Sequence, residues 1–200
     1  MRRSEADAVA GRGTVAGDGP RVVPGDVVRA VAVVSLAVGP VTHGGVAAAL
    51  LFLVLGGTVV PRALGLPTVL DVTFGASLLL AAWAALLGWY DAVSWLDLAV
   101  HAVCTGLVAA VGVELLHRLR VITATPAPGW GRAGHVAVTA GVGALGAVLW
   151  ELGEWAGHTF LDDDISVGYA DTVGDLAAGA LGAAAAGVVL AARTREPARD

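Results

Sequence analysis

Three short stretches of this chain hold side chains able to bind a cation or move a proton. Asp97 and His101 stand four residues apart in DLAVH, and Asp171 and Asp175 stand four apart in DTVGD. Glu151, Glu154 and His158 follow an i, i+3, i+7 spacing in ELGEWAGH. On an α-helix each set lies along one face. Glu151, Glu154, Asp171 and Asp175 together with His101 form a donor set suited to a hard or borderline divalent cation: Mg²⁺, Mn²⁺, Fe²⁺ or Zn²⁺. Asp97 would then orient the imidazole of His101, leaving it to act as ligand or general base.

Each pair also has a plainer explanation. Ser94-x-x-Asp97 is a capping-box pattern, and Asp171 is placed to cap a following helix. His101 and Asp175, one turn further in, escape that account. Glu151 and Glu154 resist it most, because they fall near the end of a helical pattern, where the macrodipole disfavours negative charge. Neither has an arginine nearby in sequence, so a bound cation or a shared proton must compensate.

The elements that position these groups follow from composition. The chain has 200 residues, of which 56% are hydrophobic and 14% charged, with a mean hydropathy of +0.77. A soluble domain carries about 25% charged residues, so the solvent for most of this chain is lipid. The formal net charge is −5, and without a single lysine or a clustered basic face no nucleic-acid partner is expected. Cys104, the single cysteine, excludes an internal disulfide and reads as a small buried thiol.

Four stretches are long enough to cross a bilayer: Thr68–Trp89, Trp95–Leu116, His135–Gly157 and Thr172–Ala192. Two shorter apolar segments, Val27–Val41 and Val46–Val60, precede them across GPVTHGG, and admit two short spans, a re-entrant pair or one kinked helix. Arginine favours six crossings. The loops near His43, near Asp91 and over 158–170 then contain none, and all twelve arginines fall on the other side, the pattern of a cytoplasmic face. The expectation is an all-α polytopic membrane helical bundle with about six transmembrane helices and both termini cytoplasmic, multi-pass in the plasma membrane. Residues 1–25 read as a disordered cytosolic tail, 26–192 as the transmembrane domain and 193–200 as a short C-terminal tail.

Within that topology the three reactive pairs fall at one depth, toward the outer end of three consecutive spans. A carboxylate at the centre of a spanning helix costs about 2.5–3.5 kcal/mol, so such groups must face one another, water or a cation. Small residues at helical spacing (Gly141, Gly146, Gly153 and Gly157; Gly174, Ala178 and Gly182) would allow close helix approach. Glu114 should pair with His117 or Arg118 at the inner interface, and Asp71 should cap the third span. His43 and Asp162–Asp164 read as solvated loop residues, and the tryptophans as an interfacial belt.

The order DxxxH (Asp97, His101), WExxEW (Glu151, Glu154, Trp155) and GxxDTxxD (Gly168, Asp171, Thr172, Asp175) resembles the YjdF-like inner-membrane proteins, over roughly residues 70–185. More distantly, DxxxH with a late Asp-rich helix start resembles the VanZ-like glycopeptide-resistance proteins. The YjdF resemblance implies a membrane fold and a set of site residues, without naming a reaction. The residues themselves support an outward-facing, divalent-metal-dependent membrane hydrolase acting on a lipid or envelope intermediate. No serine or cysteine sits in a nucleophile motif. An ion- or proton-coupled transporter and a non-catalytic membrane scaffold with a protonated acid cluster are the alternatives.

Overall fold

The computed structural model describes residues 22–122 and 131–193. The expected N-terminal tail up to residue 21, the C-terminal tail from residue 194, Arg2, Arg3, Arg12, Arg21, Arg195, Arg199 and Trp130 lie outside the described residues. Helices run over Pro24–Ala63 (α1), Thr68–Leu86 (α2), Trp89–Ala92 (α3), Leu96–Arg118 (α4), Gly131–Phe160 (α5) and Tyr169–Arg193 (α6), with no strand among the described residues. Pro24 opens α1, so its missing N–H sits where no helical partner exists. Residues 24 and 25, expected in the tail, are therefore the first of the helix.

The nominal 40 residues of α1 fold back on themselves. Gly44 has φ 76° and ψ −162°, a conformation outside the helix that only glycine adopts freely. Arg29 Nε donates to the carbonyl of Thr58 at 3.1 Å, whereas in a straight helix those residues would stand about 44 Å apart at 1.5 Å per residue. The limbs, 24–43 and 45–63, each approach the roughly 20 residues that cross a hydrocarbon core. Ala32 in the first limb and Ala47, Leu51 and Val54 in the second form one buried cluster with Leu79 and Ala82 of α2. With the four long helices that follow, the described residues run as six alternating apolar limbs, and the described ends, residues 22 and 193, lie on one side.

That side is the arginine side. Arg29 bonds Asp71 at 2.6 Å and Asp26 at 2.9 Å, and Arg62 stands 3.9 Å from Asp26. Asp71 thus joins α2 to α1 rather than capping its own helix, whose start shows no side-chain cap. Its carboxylate lies where a Cβ on Gly25 would sit, which accounts for glycine there. Glu114 accepts from Arg118 Nε at 2.9 Å with His117 Nδ1 at 4.0 Å, the expected interfacial ion pair.

The helices pack as two groups. The limbs of α1 pair with α2, while α4, α5 and α6 pair with one another, and contact between α2 and α4 joins the groups. Leu66, Phe74 and Val111 form a buried cluster at that junction. The α4–α6 crossing is the closest: a Cβ on Gly182 would strike the carbonyl of Ala102, and one on Gly106 would lie 2.8 Å from the carbonyl oxygen of Gly182. Gly141 and Gly153, expected at an interface, face open space instead. Large apolar side chains such as Val31, Phe52, Leu145, Leu149, Leu181 and Val188 point outward, as lipid-facing residues do.

Candidate functional site

Helices α4, α5 and α6 bring five ionisable side chains together at the end of the bundle opposite the arginines. His101 stands at the centre. Its Nε2 lies 3.5 Å from Asp97 Oδ1, one turn back on α4, and 3.9 Å from Asp175 Oδ2 on α6. One donor atom each from Asp97, His101 and Asp175 fall within 4.8 Å of one another, and the same holds for His101, Glu151 and Glu154. His101 belongs to both groups. Asp175 is buried, and the other four are partly so.

Local sequence explains each placement. The i, i+4 spacing of Asp97 and His101 aims both at α6. Asp97 makes no side-chain cap for α4, so the capping alternative gives way to the pairing with His101. The close α4–α6 crossing, built on Gly106 and Gly182, keeps the Asp175 helix near enough to meet His101. Glu151 and Glu154, separated by one turn, enter from α5. Glu151 Oε1 is buried and has no hydrogen-bond partner, a costly state for a carboxylate oxygen unless something else satisfies it.

Two expected residues stand apart. Asp171 is exposed in the first turn of α6 and contributes to neither group; nor is it an N-cap, since the helix already begins at Tyr169. His158 turns its Nδ1 to the carbonyl of Ile165 at 2.8 Å, pinning the loop after α5. Asp162, Asp163 and Asp164 form a third acidic group on that loop. His43, in the bend of α1, lies edge-on to Trp83 with ring centroids 5.9 Å apart.

A cavity of about 150 Å³ opens beside the cluster, with His101, Glu154, Tyr90 and Cys104 in its wall. Sequence spacing gave no sign of it. Tyr90, on the short α3, donates its phenol hydrogen to the carbonyl of Ala81 at 3.1 Å. Burial pushes the Tyr90 phenol above its ordinary range, helped by the nearby acids, which keeps it a donor.

A family model described as "Predicted membrane protein (DUF2238)" matches residues 27–196. The chain belongs to this family. The match takes in α1 from residue 27 and every later helix, and the YjdF-like resemblance accords with it. No curated protein and no solved structure matches the chain. Family and helices together make it a multi-pass membrane protein in contact with lipid.

Proposed function

We propose that this chain is a divalent-metal-dependent membrane hydrolase whose site lies at the end of the bundle opposite the described arginines, among Asp97, His101, Glu151, Glu154 and Asp175. The observation that carries the reading is the buried, unpartnered Oε1 of Glu151, set in a group whose other members converge on His101 from three helices. A lone acid cluster would leave its oxygens in water or share protons among them. Here an imidazole completes a mixed nitrogen and oxygen donor set, as carboxylate metal sites do in helical bundles. A Zn²⁺, Mn²⁺, Fe²⁺ or Mg²⁺ ion, when bound, would supply Lewis acidity and lower the pKa of water. The protein would hold the cation through Glu151, Glu154, Asp175 and His101, and Asp97 would fix the orientation of the His101 ring. Asp171, part of the expected donor set, is set aside because it faces outward.

The substrate is proposed to be a lipid or envelope intermediate, approached from the outer face of the plasma membrane. The VanZ-like resemblance points to an envelope substrate, without adding a residue to the site. An ion pathway is the weaker alternative, since the hydroxyls of the inner half are engaged locally. Thr58, Thr73 and Ser77 donate to carbonyls of their own helices, and Ser35 accepts from the Trp83 indole. A through-pathway needs such groups turned to a pore.

Elemental analysis of protein purified in metal-replete detergent, beside a His101→Ala/Glu151→Gln variant, tests the reading. Stoichiometric metal is expected in the parent and none in the folded variant. A parent without metal would leave the acids sharing protons, and the hydrolase reading would fall.

A further inference from the structure

The cavity beside the polar cluster is shaped as the slot for one chain of an amphiphile. Its wall is contributed in turn by the second limb of α1 (Leu50), by α2 (Leu78 and Ala81), by α4 (Val108) and by α5 (Gly146), with His101 and Glu154 among the lining residues. Neighbouring members of this ring pack against each other: α1 on α2, α2 on α4, α4 on α5. The remaining pair, α1 and α5, does not pack as a helix pair. Among the described residues the ring thus lacks a packed helix pair on one flank, between the second limb of α1 and α5, and an entrance from the bilayer would lie there.

Polarity along the slot is one-sided. The phenol of Tyr90 is bonded to Ala81, and the Cys104 thiol donates to the carbonyl of Ser77 at 3.6 Å. The other two ionisable groups in the wall, His101, 3.5 Å from Asp97, and Glu154, hydrogen-bonded to the side chain of Trp150, both sit at the end opposite the described arginines. From His101 to Val108 along α4, and from Glu154 to Gly146 along α5, the slot runs inward for about 10–12 Å at 1.5 Å per residue. An engineered apolar cavity of about 150 Å³ accepts benzene, so this one suits a hydrocarbon segment of similar girth. The polar end toward the membrane surface and the apolar end toward its centre match the orientation of a lipid in that leaflet.

We infer that the crevice between α1–α2 and α4–α5 admits, laterally from the bilayer, the head-proximal part of a glycerolipid acyl chain, setting the ester and head-group linkage against His101 and Glu154. The inference deepens the proposed function by naming the substrate class, and it rests on that reading for what happens at the polar end. The slot itself requires no metal.

The test is photo-crosslinking in nanodiscs of phosphatidylcholine carrying a trace of phosphatidylcholine with a diazirine near the acyl carbonyl, or, in a parallel sample, at the terminal methyl. Adducts are mapped by mass spectrometry. The head-proximal probe should mark the wall residues nearest the polar end, Tyr90, Cys104 and Trp150, and these adducts should be lost in Ala81→Phe and in Val108→Phe, which fill the slot from different helices. The terminal probe should not give that pattern. Head-proximal adducts confined to outward residues such as Leu145 and Leu181 would overturn the inference, as would cavity adducts that persist in a folded filling variant. The same mapping with chelator present separates the two readings. Cavity labelling that persists with the metal stripped keeps the lipid slot whatever elemental analysis finds in the parent, and a parent that holds stoichiometric metal but gives no cavity labelling keeps the metal site and overturns the slot.

Discussion

At the scale of single residues the site turns on which acids reach His101. Spacing alone grouped Asp171 with Asp175, because i and i+4 share a face, and it grouped His158 with Glu151 for the same reason. Spacing fixes the direction around a helix but not how far along it the neighbouring helices still cover that face. Asp175 sits where α4 covers α6, and Asp171, a turn nearer the end, lies outside that cover. Asp97 and His101 needed no such information, since they lie on one helix and contact each other directly. A matched pair of variants exposes the difference. Asp175→Asn should weaken metal binding by at least about tenfold, the scale seen when even outer partners of a metal ligand are removed, whereas Asp171→Asn should leave it unchanged. Isothermal titration with Mn²⁺ and Zn²⁺ reads both, and equal losses in the two variants would place Asp171 back in the donor set.

At the scale of elements, the fold depends on how closely α4 and α6 cross. The sequence displayed many glycines and alanines at helical spacing and made a tight bundle plain, yet could not say which of them met a neighbour. Gly182 meets the Ala102 carbonyl, while Gly141 meets nothing. Alanine substitution should therefore have opposite signs at the two positions. Gly141→Ala should be neutral or stabilising by up to about 1 kcal/mol, the usual gain in helix propensity. Gly182→Ala should destabilise by about 1–3 kcal/mol, because the added methyl overpacks against backbone that has no rotamer to yield. It should also lower metal content, since separating α4 from α6 moves Asp175 away from His101. Thermal unfolding in detergent checks the first part and elemental analysis the second. A Gly182→Ala protein as stable as its parent would mean the crossing is slack and the site is held by other contacts.

At the scale of the whole molecule, the number of crossings decides on which side of the membrane the site works. Among the described residues five helices are long and apolar enough to span by length and composition, and an odd count would put the two ends of the bundle on opposite sides. The reversal at Gly44 splits α1 into two limbs, and if both cross, the count becomes six. The arginines of the sequence already favoured that parity, and the contact of Arg29 with Thr58 gives it a physical form. The unpacked flank between α1 and α5 among the described residues was illegible beforehand, because a missing helix contact leaves no pattern in either partner. Cysteine accessibility tests the topology in a Cys104→Ala background, with single cysteines at Asp163, beyond α5, and at Arg120, beyond α4. A membrane-impermeant maleimide should label Asp163→Cys in intact cells and Arg120→Cys only after permeabilisation. Tags on the two termini should both behave like Arg120→Cys. An N-terminal tag that labels in intact cells would mean α1 crosses once, moving Arg29 and Asp26 away from the face that carries Arg118 and detaching Asp71 from its partner.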